Sequence, residues 1–151
     1  MAVASSSDMQ VLIPASMLVG EGPVWEASTG TFYCVDIPPG LVYRYRMDTG
    51  ELSTWRHNAS VGAVCPADDG SLVLATKNGF EILDPATGAI RPLHNPEPDL
   101  PENRMNDGKC DRRGRFWAGT MDRRESGVAS GALYRLTATD GCTRHLQNIY
   151  I

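Results

Sequence analysis

The hydrophobic and polar positions of this chain alternate in short runs with a period of two. Thr31–Ile37, Leu41–Arg46, Glu51–Trp55, Val61–Cys65, Ser71–Thr76, Phe80–Leu83 and Ala89–Leu93 each read as a strand. Val11–Ile13 and Gly22–Glu26 precede them, and Arg115–Thr120, Gly131–Leu136 and Cys142–Leu146 follow. Turn signals separate the runs: Ser28-Thr29-Gly30, Pro38-Pro39-Gly40, Asp48-Thr49-Gly50, Asp68-Asp69-Gly70, Asn78-Gly79, Pro85-Ala86-Thr87-Gly88, Asp111-Arg112-Arg113-Gly114 and Asp140-Gly141. Asn78-Gly79 is the strongest hairpin dipeptide among them. No window carries a sustained i, i+3, i+4, i+7 stripe, so helices are not expected.

The runs repeat. TFYCVD…GLVYRYRMDTGEL, SLVLAT…GFEILDPATGAI and RFWAGT…GALYRLTATDGC align with one another. Tyr33 to Val73 spans 40 residues and Val73 to Trp117 spans 44. Gly50 to Gly88 spans 38, and Gly88 to Gly141 spans 53 because the third unit carries longer loops. A period of about 40 to 50 residues holding about four strands is the pattern of a propeller blade. The expected fold is therefore all-β, a β-propeller of about three four-stranded blades. Propellers close with roughly 4 to 8 blades. Residues 1–151 are accordingly expected to form part of a propeller with no complete domain boundary inside the chain, and its open blade faces to favour self-association.

Composition narrows the function classes. With 151 residues, 42% hydrophobic and 21% charged, the chain has the balance of a globular protein. A net charge of −4 and scattered Lys and Arg speak against a nucleic-acid surface. No apolar run reaches the roughly 18 residues of a membrane helix, and MAVASSSDMQ lacks the features of a secretory signal. Cys34, Cys65, Cys110 and Cys142 lie 31, 45 and 32 residues apart, without a CxxC or CxxH pair. A zinc cluster is not expected. Four reduced, mostly buried thiols in a cytoplasmic protein are.

Chemistry concentrates between Glu102 and Met121, ENRMNDGKCDRRGRFWAGTM. Its first half reads as a polar loop in which Arg104, Asn106 and Asp107 lie close together, ahead of a strand that can hold them. Arg104 offers a planar fork for bidentate contact with a carboxylate or sugar oxygen. Asn106 can donate to one oxygen and accept from a hydroxyl. Asp107 reads as a structural cap of turn N–H groups. Glu21, between two glycines and ahead of Pro23-Val24-Trp25, reads as a poorly solvated carboxylate or as an exposed turn residue. The Pro-rich stretch His94–Pro101 reads as a stiff surface loop leading to the site. His57, His94 and His145 stand apart in sequence and are given no catalytic role.

Gly20–Trp25 (GEGPVW), Val35-Asp36-Ile37, Arg104–Lys109 (RMNDGK), Gly114-Arg115, Ala118–Met121 (AGTM) and Gly131–Tyr134 (GALY) fall in an order that resembles the senescence marker protein-30/gluconolactonase/regucalcin family. The resemblance covers nearly the whole chain and implies the N-terminal half of a six-bladed propeller. It further implies hydrolysis of sugar lactones with one divalent metal, Ca²⁺, Zn²⁺, Mg²⁺ or Mn²⁺, in the central channel. There the metal would polarise the lactone carbonyl and a bound water. By the resemblance Glu21 is a metal ligand. The family's remaining ligands, an Asn of an SNGL-like motif and an Asp of a later blade, have no counterpart in these residues. Arg104 and Asn106 match its substrate contacts. A further acidic contact falls on Arg124 in a gapless alignment, with Glu125 one residue away. The general base is not expected within residues 1–151. The alternative reading is a non-catalytic module binding calcium or another protein. A paraoxonase-like or strictosidine-synthase-like propeller is disfavoured by the RMNDGK stretch.

Overall fold

The computed structural model describes residues 10–124 and 127–150. Twelve strands make three four-stranded antiparallel sheets, each a simple meander. The first is β1 (Gly20–Glu26), β2 (Thr31–Asp36), β3 (Leu41–Arg46) and β4 (Leu52–Arg56). The second is β5 (Val61–Pro66), β6 (Leu72–Thr76), β7 (Gly79–Leu83) and β8 (Ile90–His94). The third is β9 (Asn103–Cys110), β10 (Phe116–Asp122), β11 (Gly131–Thr137) and β12 (Gly141–Ile149). The described residues contain no helix. The expected three blades are all present.

Strand periodicity explains how the blades stack. Successive side chains point to opposite faces. In β6, Leu72 and Leu74 turn towards the first blade and join Tyr33, Val35, Val42, Val61 and Leu83. Val73 and Ala75 turn the other way and join Phe80, Met105, Phe116, Ala118 and Tyr134 of the second and third blades. The middle blade is thus apolar on both faces. Phe80 and Phe116 meet edge-to-face with ring centroids 5.8 Å apart, a favoured aromatic geometry.

The innermost strands β1, β5 and β9 lie side by side, and each carries a register shift against its partner. Opposite β2 the shift falls between Glu21 and Val24. Opposite β6 it falls between Val61 and Ala63, leaving Gly62 as the extra residue. In β9, Met105 pairs with Thr120 and Asp107 with Gly119, leaving Asn106 as the extra residue. These β-bulges touch. A Cβ on Gly62 would lie 2.5 Å from the Asn106 carbonyl oxygen, and one on Gly22 would lie 3.6 Å from the Gly62 carbonyl oxygen. Bulges bend a strand and re-aim side chains. Here they are stacked at one level of the inner wall.

A polar node recurs where each second strand ends. The Asp36 carboxylate accepts the Leu18 and Val19 amides at 3.0 and 2.8 Å. In the second blade the Thr76 hydroxyl donates to Glu81 Oε2 at 2.7 Å, and His57 Nε2 lies 2.8 Å from the same oxygen. In the third, Thr120 donates to Glu97 at 2.9 Å. Each node pins the segment that leads into its blade. His57 therefore has a structural place, buried beside Glu81.

Three expectations are corrected. Val11–Ile13 forms no strand, because Pro14 interrupts it, no strand pairs with it, and Val11 is exposed. Asn103–Asp107 is not a loop but the start of β9. Pairing with β10 and burial of Asn103 and Met105 outweigh the turn tendency of Asn-Asp-Gly. The four cysteines are not all thiols. Cys65 and Cys110 form a disulfide with Cα atoms 6.6 Å apart, joining β5 to β9. Their 45-residue separation hid a juxtaposition that exists only once neighbouring blades stack. Cys34 and Cys142 are free. Burial, and secondarily Asp36, pushes the Cys34 thiol up to about 11, which keeps it protonated and unreactive.

Candidate functional site

The inner strands carry the candidate residues. Arg104 and Asn106 belong to β9 and Glu21 to β1, with the glycine bulge of β5 between them. β9 is held from both sides. Its pairing with β10 runs from Asn103↔Asp122 to Cys110↔Phe116. On the other side Cys110 is bonded to Cys65. The strand is thereby a rigid mount, the kind of support on which a polar binding site keeps its geometry.

Arg104 and Asn106 are brought together. Arg104 Nη1 donates to Asn106 Oδ1 at 2.9 Å and to the Met105 carbonyl oxygen at 3.0 Å. Two side chains two residues apart in a regular strand share a face, and the bulge at Asn106 changes its direction while keeping it within reach of the guanidinium. Both residues are half-buried. Asp107 is exposed and accepts the Gly108 amide at 2.7 Å, in keeping with a local structural part.

Glu21 lies in a strand, opposite Val35, and it is exposed. The expectation of a poorly solvated carboxylate is therefore corrected: the adjacent apolar Val24 and Trp25 do not cover it. Glu21 alone supplies one hard oxygen donor. Among the described residues no three His, Cys, Asp or Glu side chains gather where a metal would sit. These residues by themselves do not build a metal cage. Glu125 lies outside the described residues.

Sequence reading missed Glu97. Its Oε1 accepts from the Thr120 hydroxyl and the Tyr134 phenol, both at 2.9 Å, and its Oε2 accepts from Asn103 Nδ2 at 2.9 Å. Burial and the Glu97 carboxylate hold the Tyr134 phenol well above the usual range, so it stays a donor. The available signal was an acidic residue inside a Pro-rich stretch close to Arg104. Two of its three partners are 23 and 37 residues away and were not readable.

At the far end of β9, Asp111 organises the turn to β10. Arg115 Nε donates to Asp111 Oδ2 at 2.6 Å and Trp117 Nε1 donates to the same oxygen at 2.9 Å. The Arg113 amide reaches Oδ1 at 2.9 Å. The Arg115 guanidinium first, and then Trp117, hold the carboxyl far below the usual carboxylate range.

Comparison with known proteins follows the same outline. The family model described as "SMP-30/Gluconolactonase/LRE-like region" matches residues 19–151. Regucalcin of Xenopus laevis is 33% identical over 151 residues, covering 97% of this chain and 50% of the relative. L-arabinolactonase of Azospirillum brasilense is 36% identical over 124 residues, covering 80% of this chain and 40% of the relative. A solved structure described as a calcium-binding protein, regucalcin, from Agrobacterium tumefaciens superposes with a TM-score of 0.82 at 29% identity. It covers 92% of this chain and 46% of the other. The chain thus spans about half the length of these relatives.

Proposed function

Because the chain belongs to the SMP-30/gluconolactonase/LRE-like family, we propose that the protein it comes from is a lactonase acting on sugar lactones. The observation that carries the reading is the hydrogen-bonded pair Arg104–Asn106, mounted on a bulged inner strand two strands from Glu21. Lactonase and regucalcin relatives support the same class. Three blades over about half of each relative's length support a propeller of six.

In this reading Arg104 and Asn106 bind the lactone. The guanidinium donates to ring or hydroxyl oxygens, and the Asn106 carboxamide donates to one oxygen and accepts from a hydroxyl. Their mutual contact fixes their spacing before the sugar arrives, so less ordering is required on binding. Glu21 is proposed as one ligand of a divalent metal, Ca²⁺ among the candidates. The other ligands and the general base would come from residues beyond 151. Glu125 keeps its proposed substrate contact from sequence alone. No helix among the described residues is long and apolar enough to cross a membrane. A cytoplasmic location was expected from reduced thiols, and the Cys65–Cys110 bond removes that ground.

The test is turnover of L-arabinolactone and gluconolactone by the longer protein, with and without chelator. Residues 1–151 alone are expected to be inactive and to bind Ca²⁺ weakly. Lactone turnover by residues 1–151 alone would overturn the divided site. Tight Ca²⁺ binding by the longer protein without turnover would favour the second reading, a calcium-binding module, which the calcium-binding regucalcin relative supports.

A further inference from the structure

We propose that Glu97 is a positioning residue that sets the substrate-contacting side of β9 through Asn103. The proposal rests on the reading that Arg104 and Asn106 bind the lactone.

Glu97 sits in the connector between the second and third blades and bonds to three strands of the third blade at once. Oε1 takes the Thr120 hydroxyl of β10 and the Tyr134 phenol of β11, and Oε2 takes the Asn103 carboxamide of β9. Thr120 is in turn tied to β11, its hydroxyl accepting the Ala132 amide at 2.8 Å. Asn103 is 6% exposed and both donors of its carboxamide are engaged: Nδ2 also reaches the Ser130 carbonyl at 3.0 Å, and Oδ1 accepts from the Ser130 hydroxyl at 2.8 Å. Its own amide donates to the Leu100 carbonyl at 2.9 Å. Asn103 is therefore fixed at both backbone and side chain, and Arg104 follows it directly. Strand alternation does the rest: with Asn103 and Met105 buried, Arg104 is turned to the opposite side. Glu97, Asn103, Arg104 and Thr120 line a common cavity of about 10 Å³ with Thr76 and Lys77 of the second blade. That is room for about one water molecule, so Glu97 and the start of β9 leave little slack between them.

The two carboxylate oxygens have separable partners, and this makes the idea testable. Glu97→Gln replaces the carboxylate by a neutral amide with a single acceptor oxygen. Turned one way, its NH₂ group meets the Asn103 NH₂, donor against donor; turned the other way, the Thr120 and Tyr134 hydroxyls accept from it and Asn103 keeps only a neutral bond. Either way the charge-assisted bond to Asn103 is lost. Tyr134→Phe breaks an arm on the other oxygen and leaves Asn103 untouched. The experiment compares E97Q, Y134F and R104A in the full-length protein by lactone kinetics, and E97Q and Y134F by amide hydrogen exchange across 103–106. The expected result is an E97Q KM raised about tenfold with faster exchange at 103–106, while Y134F keeps KM within twofold even where it lowers Tm. Unchanged exchange in E97Q overturns the proposal. So does an equal KM rise in E97Q and Y134F, which would mark Glu97 as a general structural brace. If R104A leaves KM unchanged, the lactone-contact reading fails, and the exchange comparison alone decides whether Glu97 positions the strand.

Discussion

Arg104 Nη1 donates to Asn106 Oδ1 across 2.9 Å, from one side of a β-bulge to its extra residue. The contact places a guanidinium and a carboxamide side by side on one strand of the inner wall. A charge-assisted bond of this kind contributes roughly 1.5–3 kcal/mol when both partners are held in place. It engages one lone pair of Asn106 Oδ1 and leaves the second open as an acceptor.

Arg104→Lys keeps the charge and loses the fork. Lysine has a single rotating ammonium and cannot serve Asn106, the Met105 carbonyl and a ligand in one plane. A loss of about 1.4 kcal/mol or more corresponds to a tenfold or greater fall in kcat/KM. Steady-state kinetics on the full-length protein measure it. Kinetics of R104K within twofold of the parent would remove Arg104 from the site.

Gly62→Ala tests the stacked bulges. Its Cβ would stand 2.5 Å from the Asn106 carbonyl oxygen and 2.7 Å from that of Met105, both backbone atoms of the strand that carries the site. Neither can step aside alone, so β9 must shift. Overpacking of this kind costs about 1–3 kcal/mol. Urea denaturation should show that loss, and the kinetic defect should be larger than at a glycine with open space around it. Gly114→Ala is not a fair control, because its φ of +70° strains any side chain. Gly119→Ala is better, with its nearest outside atom at 3.9 Å.

The blades were legible because strand period and turn chemistry are local. Leu41–Arg46 is recovered with identical limits, and most other strands shift by only one or two residues at an end. Leu72 and Val73 face different cores because a two-residue period is all that the packing needs. Arg104, Asn106 and Glu21 were legible as a motif, but not the bulges that bring their strands together, since a bulge is defined by the partner strand. Asn106 read as part of a turn for that reason. The Cys65–Cys110 bond and the Glu97 node were illegible. Both join residues from different blades or connectors, and nothing local at Cys65 or Glu97 specifies the partner.

The disulfide ties the second blade to the third. Closing a 45-residue loop removes chain entropy from the unfolded state, and the loop-closure relation puts this at about 4 kcal/mol, with measured values typically about 2–4 kcal/mol. Cys65→Ser with Cys110→Ser should lower the denaturation midpoint accordingly, and reductant should do the same to the parent but not to the double variant. A parent whose midpoint is indifferent to reductant would show that the bond adds nothing to stability.

Asp111 predicts the acid limb of the stability curve. Its carboxyl is held far below the ordinary value by Arg115 and then Trp117. An unfolded aspartate titrates near 3.9. A depressed folded value means that the unfolded chain binds the proton more readily, so this contribution is complete above about pH 4 and is lost as pH falls towards the folded value. Asp111→Asn cannot be ionised and keeps only part of the hydrogen-bond set. It should be less stable than the parent at pH 7, and the gap between them should close below about pH 4. The same substitution should leave lactone kinetics nearly unchanged at neutral pH, because the turn sits at the end of β9 away from Arg104. Paired urea titrations of parent and D111N from pH 2 to pH 7 give the comparison. A gap that stays constant across that range would mean that Asp111 stabilises the turn through its shape alone.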